Sequence, residues 1–245
     1  MSTYQENLKR FTYICLSFTS ITFSTEVQAR DLPRNYGDED RDANVAFATA
    51  SLKNNSVGDP DESAKDSKYN LIGVALFSGD SFTSHAIKTA THSNVSHIGI
   101  ILSDINDKDK LYCFESIKSG VRIIPWDSEV SDYHGKISYR LLLDVNESIT
   151  NTTPKRVKDF ITEYDRKPYT KNPITLIKAV YGKNSDKSNP STVFCSELAA
   201  KMLMDLDIIQ KDNKAASNYL PSDFQNSKGV RLNQGFILTP EIVVK

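Results

Sequence analysis

Residues 96–102 have the sequence Ser-His-Ile-Gly-Ile-Ile-Leu, an apolar run that begins with a histidine and predicts a buried β-strand. On either side of it, further short apolar runs are separated by segments rich in Gly, Ser, Asn and Asp, which favour turns. The strands predicted in this way are 70–77, 111–116, 121–124 and 136–143. Short strands at even spacing indicate an antiparallel sheet that follows the chain as a meander.

The second half of the chain changes to helical periodicity. Between residues 154 and 166, Val157, Phe160, Ile161 and Tyr164 recur at the spacing of one helical face. Residues 195–206 carry the strongest apolar stripe and predict the clearest helix of the chain. The remaining predictions are helices at 84–90, with Ser84 as N-cap, and at 174–180, and a strand at 236–238. Strands first and helices after them indicate an α+β fold.

The composition fits a globular protein of one large domain, with 245 residues, 25% of them charged and 39% hydrophobic. The net charge is −1, so no global basic field would attract nucleic acid, and no nucleic-acid partner is expected. Contact with a membrane or the cell envelope is left open. The cysteines, Cys15, Cys113 and Cys195, are too few for a disulfide framework and lack the spacing of a metal site. No metal or organic cofactor is implied.

The N-terminal residues predict a signal peptide. Lys9 and Arg10 precede an apolar stretch at 11–23, and Val27-Gln28-Ala29 offers small residues at the −3 and −1 positions of a cleavage site. A signal peptide at 1–29, with cleavage after Ala29, would make this an exported protein, either periplasmic or secreted. A short amphipathic helix is the alternative interpretation.

Beyond the signal, the chain divides into two parts. Residues 30–68 are polar and rich in Asp, Asn, Ser and Lys, which predicts a poorly ordered lead-in. The compact domain is expected to span 69–245.

Cys195 lies at the start of the helix predicted at 195–206, before its apolar stripe. A thiol at this position meets backbone N–H groups and the positive end of the helix dipole, and both favour the nucleophilic thiolate. The alternative is a small buried residue at a helix start, because free cysteines are commonly buried. The local sequence leaves both interpretations open.

Two residues on neighbouring strands complete a candidate catalytic set. His97 shares a strand face with Gly99 and Ile101, and the glycine leaves space above the strand for an approaching element. Glu115 shares a face of the next strand with Cys113, so a hairpin would bring the carboxylate of Glu115 beside the imidazole of His97. Such a carboxylate orients a catalytic histidine and stabilises its imidazolium. The alternatives are a hydrogen-bonded histidine and an exposed or salt-bridged glutamate at strand ends.

A nucleophile at a helix start, a base on one strand and an acid on the next follow the logic of covalent catalysis. The segments LFSG (76–79), SHIGI (96–100) and VFCSEL (193–198) resemble the NlpC/P60 superfamily of papain-like enzymes. The histidine precedes the cysteine, which is the order of the circularly permuted branch that includes YiiX-like and LRAT-like proteins. This resemblance covers roughly residues 69–236 and implies a papain-like, circularly permuted α+β fold, with the cysteine helix packed on an antiparallel sheet.

For the site, the resemblance implies that Cys195 is the nucleophile, His97 the base and Glu115 the third, polar member. It also implies an acyl-enzyme intermediate. The expected function is hydrolysis or acyl transfer at the carbonyl of a peptide, amide or acyl-ester substrate, with cell-envelope peptides and acylated envelope components among the candidates. The rival is a module of the same fold that binds a ligand or lipid without turnover. The sequence decides neither the substrate nor the oligomeric state.

Two other uses of the cysteines stay open. A zinc site built from His97, Cys113 and Cys195 has no closely spaced ligand pair to support it. A disulfide between Cys113 and Cys195 is a stronger alternative, because an exported protein meets an oxidising compartment.

Overall fold

A computed structural model gives the fold of the protein. It describes residues 69–144, 154–170, 179, 191–211, 214–225 and 230–245. Three sequence predictions lie outside the described residues: the signal peptide at 1–29, the lead-in at 30–68 and, except for Ala179, the helix at 174–180. None of the described helices is both long and apolar enough to cross a membrane.

The described strands form one antiparallel sheet. They are β1 (Tyr69–Gly79), β2 (His97–Asp104), β3 (Leu111–Ile117), β4 (Gly120–Pro125), β5 (Gly135–Asp144), β6 (Phe236–Leu238) and β7 (Ile242–Val243). Their order across the described sheet is β4-β3-β2-β1-β5-β6, and β7 also pairs with β5. The expectation of a simple meander was wrong for β5, which pairs with β1 rather than β4. The chain reaches that position because a helix, not a tight turn, connects β4 to β5.

The described part of the chain contains four α-helices. They are α1 (Phe82–Thr91), α2 (Trp126–Asp132), α3 (Pro154–Tyr164) and α4 (Cys195–Asp205). The apolar stripes predicted for α3 and α4 are buried, whereas α2 has no counterpart among the predictions. Ser81, not Ser84, caps α1: its hydroxyl accepts a hydrogen bond from the Ser84 amide at 3.1 Å. The α+β class with an antiparallel sheet is confirmed.

The two faces of the sheet bury different side chains because successive residues of a strand point to opposite sides. Ile98, Ile100 and Phe114 belong to the main hydrophobic core, together with the buried residues of α3 and α4. We call this side the core face. The opposite side, called here the site face, carries the side chains of His97 and Glu115, and α2 packs over it. Cys195 belongs to the core cluster, so the candidate site draws residues from both sides of the sheet.

Candidate active site

Cys195 is the first residue of α4, as predicted. Phe194 before it is extended and acts as N-cap without a side-chain hydrogen bond. Cys195 is 5% exposed and its thiol is free. The first amides of a helix have no intrahelical partner, so unpaired backbone N–H groups and the positive end of the dipole lie at the end of α4 that Cys195 begins.

The backbone around Cys195 is tied to three other segments. The Ser116 hydroxyl of β3 donates to the Val193 carbonyl at 2.7 Å, and the Ser196 hydroxyl donates to the Tyr219 carbonyl at 2.7 Å. Val193 also forms a parallel bridge with Tyr169. These bonds fix the chain on both sides of the thiol, so the position of the sulfur relative to the sheet is set by buried polar contacts as well as by core packing.

His97 is the first residue of β2 and joins the other two candidate residues. Its Nε2 lies 2.6 Å from Glu115 Oε2, and its ring packs against Phe77 with centroids 5.2 Å apart. Cys195 is close enough to His97 for its charge to raise the pKa of the imidazole. Because Nε2 faces Glu115, Nδ1 is the nitrogen left for the thiol. The structure thus brings His97 into direct contact with Glu115 and places Cys195 near the same ring.

The contacts of His97 decide its charge. Burial alone would lower the pKa of the imidazole, but the charge of Cys195 and its hydrogen bond, with the contact to Glu115, raise that pKa to about 10. For Glu115, burial would raise the pKa of the carboxyl, but His97 and then Arg122 hold it below its ordinary value. At neutral pH the pair is therefore an imidazolium beside a carboxylate.

Glu115 is held from its other side by an arginine that the sequence analysis did not single out. Arg122 of β4 stands opposite Glu115 in the strand register. Its Nε donates to Glu115 Oε1 at 2.7 Å, and its Nη2 lies 2.6 Å from the same oxygen. Nη2 also donates to Glu129 Oε2 of α2 at 2.8 Å. The strand register could have pointed to Arg122, but no sequence pattern announced Glu129.

The space above Gly99 is filled rather than open. A Cβ atom at Gly99 would lie 2.5 Å from Cys113 Sγ and 3.5 Å from Glu115 Cβ. The expectation that another element would approach there was wrong, because the side chains of the neighbouring strand occupy the space. The glycine instead lets β3 place Glu115 close to His97.

Cys113 is a free and fully buried thiol. Burial, and then the negative charges of Glu115 and Glu129, raise the pKa of this thiol well above its usual range. It faces the site side of the sheet, whereas Cys195 belongs to the core cluster on the other side. No disulfide joins the two cysteines in the described structure. Among the described residues, no group of three or more His, Cys, Asp or Glu side chains is arranged to hold a metal ion.

Tyr169 is a further neighbour of the thiol. Burial and the charge of Cys195 raise the pKa of its phenol, which therefore stays protonated. Tyr169 forms a β-bridge with Val193, which lies two residues before Cys195 in the chain. Local sequence patterns do not place Tyr169 at the site, because its pairing with Val193 is not encoded in either segment alone.

Similarity to known proteins is found among solved structures. No protein-family model matches the chain, and no curated protein matches it. Among solved structures, the chain is similar to a metalloprotein, YiiX of Escherichia coli O157:H7, also described as DUF1105. The match has 16% sequence identity and a TM-score of 0.41, and it covers 71% of this chain and 98% of the other.

Proposed function

We propose that this protein is a cysteine-dependent hydrolase or acyltransferase in which Cys195 attacks, His97 moves the proton and Glu115 orients His97. One observation carries the proposal: His97 Nε2 lies 2.6 Å from Glu115 Oε2, and Cys195 lies near enough that it and Glu115 together raise the pKa of the imidazole to about 10. An imidazolium beside a thiol at a helix start favours the thiolate, which is the nucleophilic form.

The reaction would run in two steps. The Cys195 sulfur forms a bond to the carbonyl carbon of an amide or ester, and the tetrahedral intermediate expels the amine or alcohol, which takes its proton from His97. The product of this step is a thioester on Cys195. Neutral His97 then removes a proton from water or from an acceptor nucleophile, whose attack releases the acyl group and restores the thiolate. Water as nucleophile makes the protein a hydrolase; another acceptor makes it a transferase.

The negative oxygen of the tetrahedral intermediate needs a donor. The backbone N–H of Cys195 is suited to this role because the first amides of a helix lack intrahelical partners. The charge of Cys195 contributes to the raised pKa of Tyr169, and the protonated phenol of Tyr169 would be a second donor at the edge of the site.

The proposal includes a papain-like, circularly permuted fold. Its support is the chain order, with His97 and Glu115 on the sheet before Cys195 on a later helix that packs against β2 and β3. Export after cleavage near Ala29 remains part of the proposal, and with it a cell-envelope peptide or acylated envelope component as substrate. No part of the mechanism requires a cofactor.

A non-catalytic binding module is the second candidate. The observation that favours it is the burial of Cys195, which is only 5% exposed and leaves little of the sulfur open to a substrate. In that case the ion pair of His97 and Glu115 would stabilise the fold or contact a bound ligand.

Trapping of the acyl intermediate separates the two candidates. The full chain is mixed with p-nitrophenyl acetate, quenched in acid and mapped by peptide mass spectrometry. We expect acetyl on Cys195, none there in Cys195→Ala, and much slower labelling in His97→Ala. Cys113→Ala is the matched thiol control and should acylate Cys195 normally, because Cys113 is buried on the other side of the sheet. Absence of acetyl on Cys195 at any pH would favour the binding module.

A further inference from the structure

Arg122 and Glu129 continue the polar contacts of Glu115 beyond the three proposed members of the site. Arg122 directs two donors at one oxygen of Glu115, while the other oxygen of that carboxylate faces His97. The Glu115 side chain is 0% exposed, and the Glu129 side chain is 6% exposed. A buried carboxylate keeps its charge only if it is paired and hydrogen-bonded. One oxygen of Glu115 therefore contacts His97, the proposed base, and the other oxygen is held by Arg122.

Glu115 has several titratable or charged neighbours. They are His97 on β2, Cys113 on its own strand, Arg122 on β4, and Glu129 and Tyr133 on or just after α2. Only His97 and Arg122 in this set are cations. Because an arginine fork fixes a carboxylate in direction as well as in charge, Arg122 can set which way Glu115 Oε2 points. Glu129 holds the arginine from the far side.

We propose that Arg122, anchored on α2 by Glu129, is a positioning residue that keeps Glu115 ionised and turned toward His97. This inference rests on the proposed function for its catalytic meaning. It does not rest on it for its structural meaning, since the state of Glu115 can be measured without any substrate. Arg122 touches neither the thiol nor the imidazole in this role; it acts through the carboxylate.

The test follows the Glu115 carboxyl carbon by NMR across pH, together with the alkylation rate of Cys195 by iodoacetamide. In Arg122→Met we expect the pKa of Glu115 to rise by about one unit or more and Cys195 alkylation at neutral pH to fall at least about tenfold. Arg122→Lys keeps the charge but loses the fork, so the pKa of Glu115 should stay low while part of the rate is lost. Glu129→Gln keeps an oxygen that can accept from Arg122 Nη2, so the anchor is retained while a like charge is removed, and the pKa of Glu115 should fall.

The opposite directions expected for Arg122→Met and Glu129→Gln separate a charge effect from general loosening. A rise of the Glu115 pKa in both variants, or no change in Arg122→Met, would overturn the inference. If Arg122→Met does not fold, Arg122→Lys and Glu129→Gln carry the test. Arg156→Met is the matched control, because it removes an arginine of similar exposure that pairs with Asp207 beyond the other end of α4, about 16 Å from Cys195.

The two proposals fail in different ways. If the wild-type Cys195 reacts no faster than a free thiol and His97→Ala has no effect, the proposed function fails, whatever the Glu115 titration gives. If the wild-type pair is reactive but Arg122→Met alters neither the titration nor the rate, only the positioning role fails.

Discussion

His97 Nε2 and Glu115 Oε2 lie 2.6 Å apart on neighbouring strands, and the Glu115 side chain is completely buried. The hairpin between β2 and β3 produces this contact, with Gly99 providing the room. The relationship gives Glu115 a distinct role: it holds one ring nitrogen of His97 and leaves the other for Cys195.

Glu115→Gln should disable the pair while preserving its shape. Glutamine keeps an oxygen near His97 but removes the negative charge, so the pKa of His97 should fall below the wild-type value of about 10. We expect alkylation of Cys195 at neutral pH to slow by about 100-fold. Mass spectrometry of the iodoacetamide adduct measures the rate, and a rate close to that of the wild type would remove Glu115 from the catalytic set.

The charge of His97 should depend on the thiol. Cys195 supplies both a charge and a hydrogen bond that raise the pKa of the imidazole, while burial lowers it. In Cys195→Ala the pKa of His97 should therefore fall, although the contact with Glu115 remains. NMR titration of the His97 ring in the two proteins gives the comparison. An unchanged pKa in Cys195→Ala would mean that the thiol and the ring do not interact.

The same pKa predicts how stability depends on pH. The folded-state pKa of His97 is raised above the ordinary value of 6.5, so protonation of His97 favours the folded state. This contribution is complete below about pH 6.5 and is lost as the pH rises toward about 10. Urea unfolding across that range should show the loss in the wild type and a smaller one in His97→Ala. Parallel curves for the two proteins would contradict it.

Gly99→Ala should create a local clash with one neighbour. The new Cβ would meet Cys113 Sγ at 2.5 Å, whereas its other contacts are ordinary. We expect a cost of about 1–3 kcal/mol in the free energy of unfolding, because overpacked cores must shift. The cost should be smaller in a Cys113→Ala background. Chemical denaturation of the four proteins of this cycle tests the coupling, and additive effects would show that the two side chains do not meet.

Much of the sheet could be predicted because its strands are short apolar runs punctuated by turn residues. The contact of His97 with Glu115 also followed from alternation along β2 and β3, and the helix start at Cys195 followed from the apolar stripe after it. The crossing of β5 to β1 could not be predicted, since it depends on α2, a short helix without clear periodicity.

The positions of Glu129 and Tyr169 could not be predicted for a related reason. Glu129 reaches Arg122 only because α2 folds back over the sheet, and Tyr169 reaches Cys195 only through a bridge to Val193. Arg122 and Glu129 are only seven residues apart but meet across the turn from β4 into α2, and Tyr169 and Val193 are farther apart in the chain, so neither contact follows from a local pattern. The filled space above Gly99 was likewise decided by the side chain of a neighbouring strand.

The pairing of Cys195 with His97 is tested most directly by the rate of thiol alkylation across pH. Wild type, Cys195→Ala and His97→Ala are labelled with iodoacetamide, with His134→Ala as the control for loss of an exposed histidine. We expect Cys195 to react fast well below the free-thiol pKa of about 8.5, and His97→Ala, but not His134→Ala, to abolish that reactivity. A Cys195 that reacts no faster than a model thiol, or that is isolated in a disulfide, would contradict the pairing and favour a binding module.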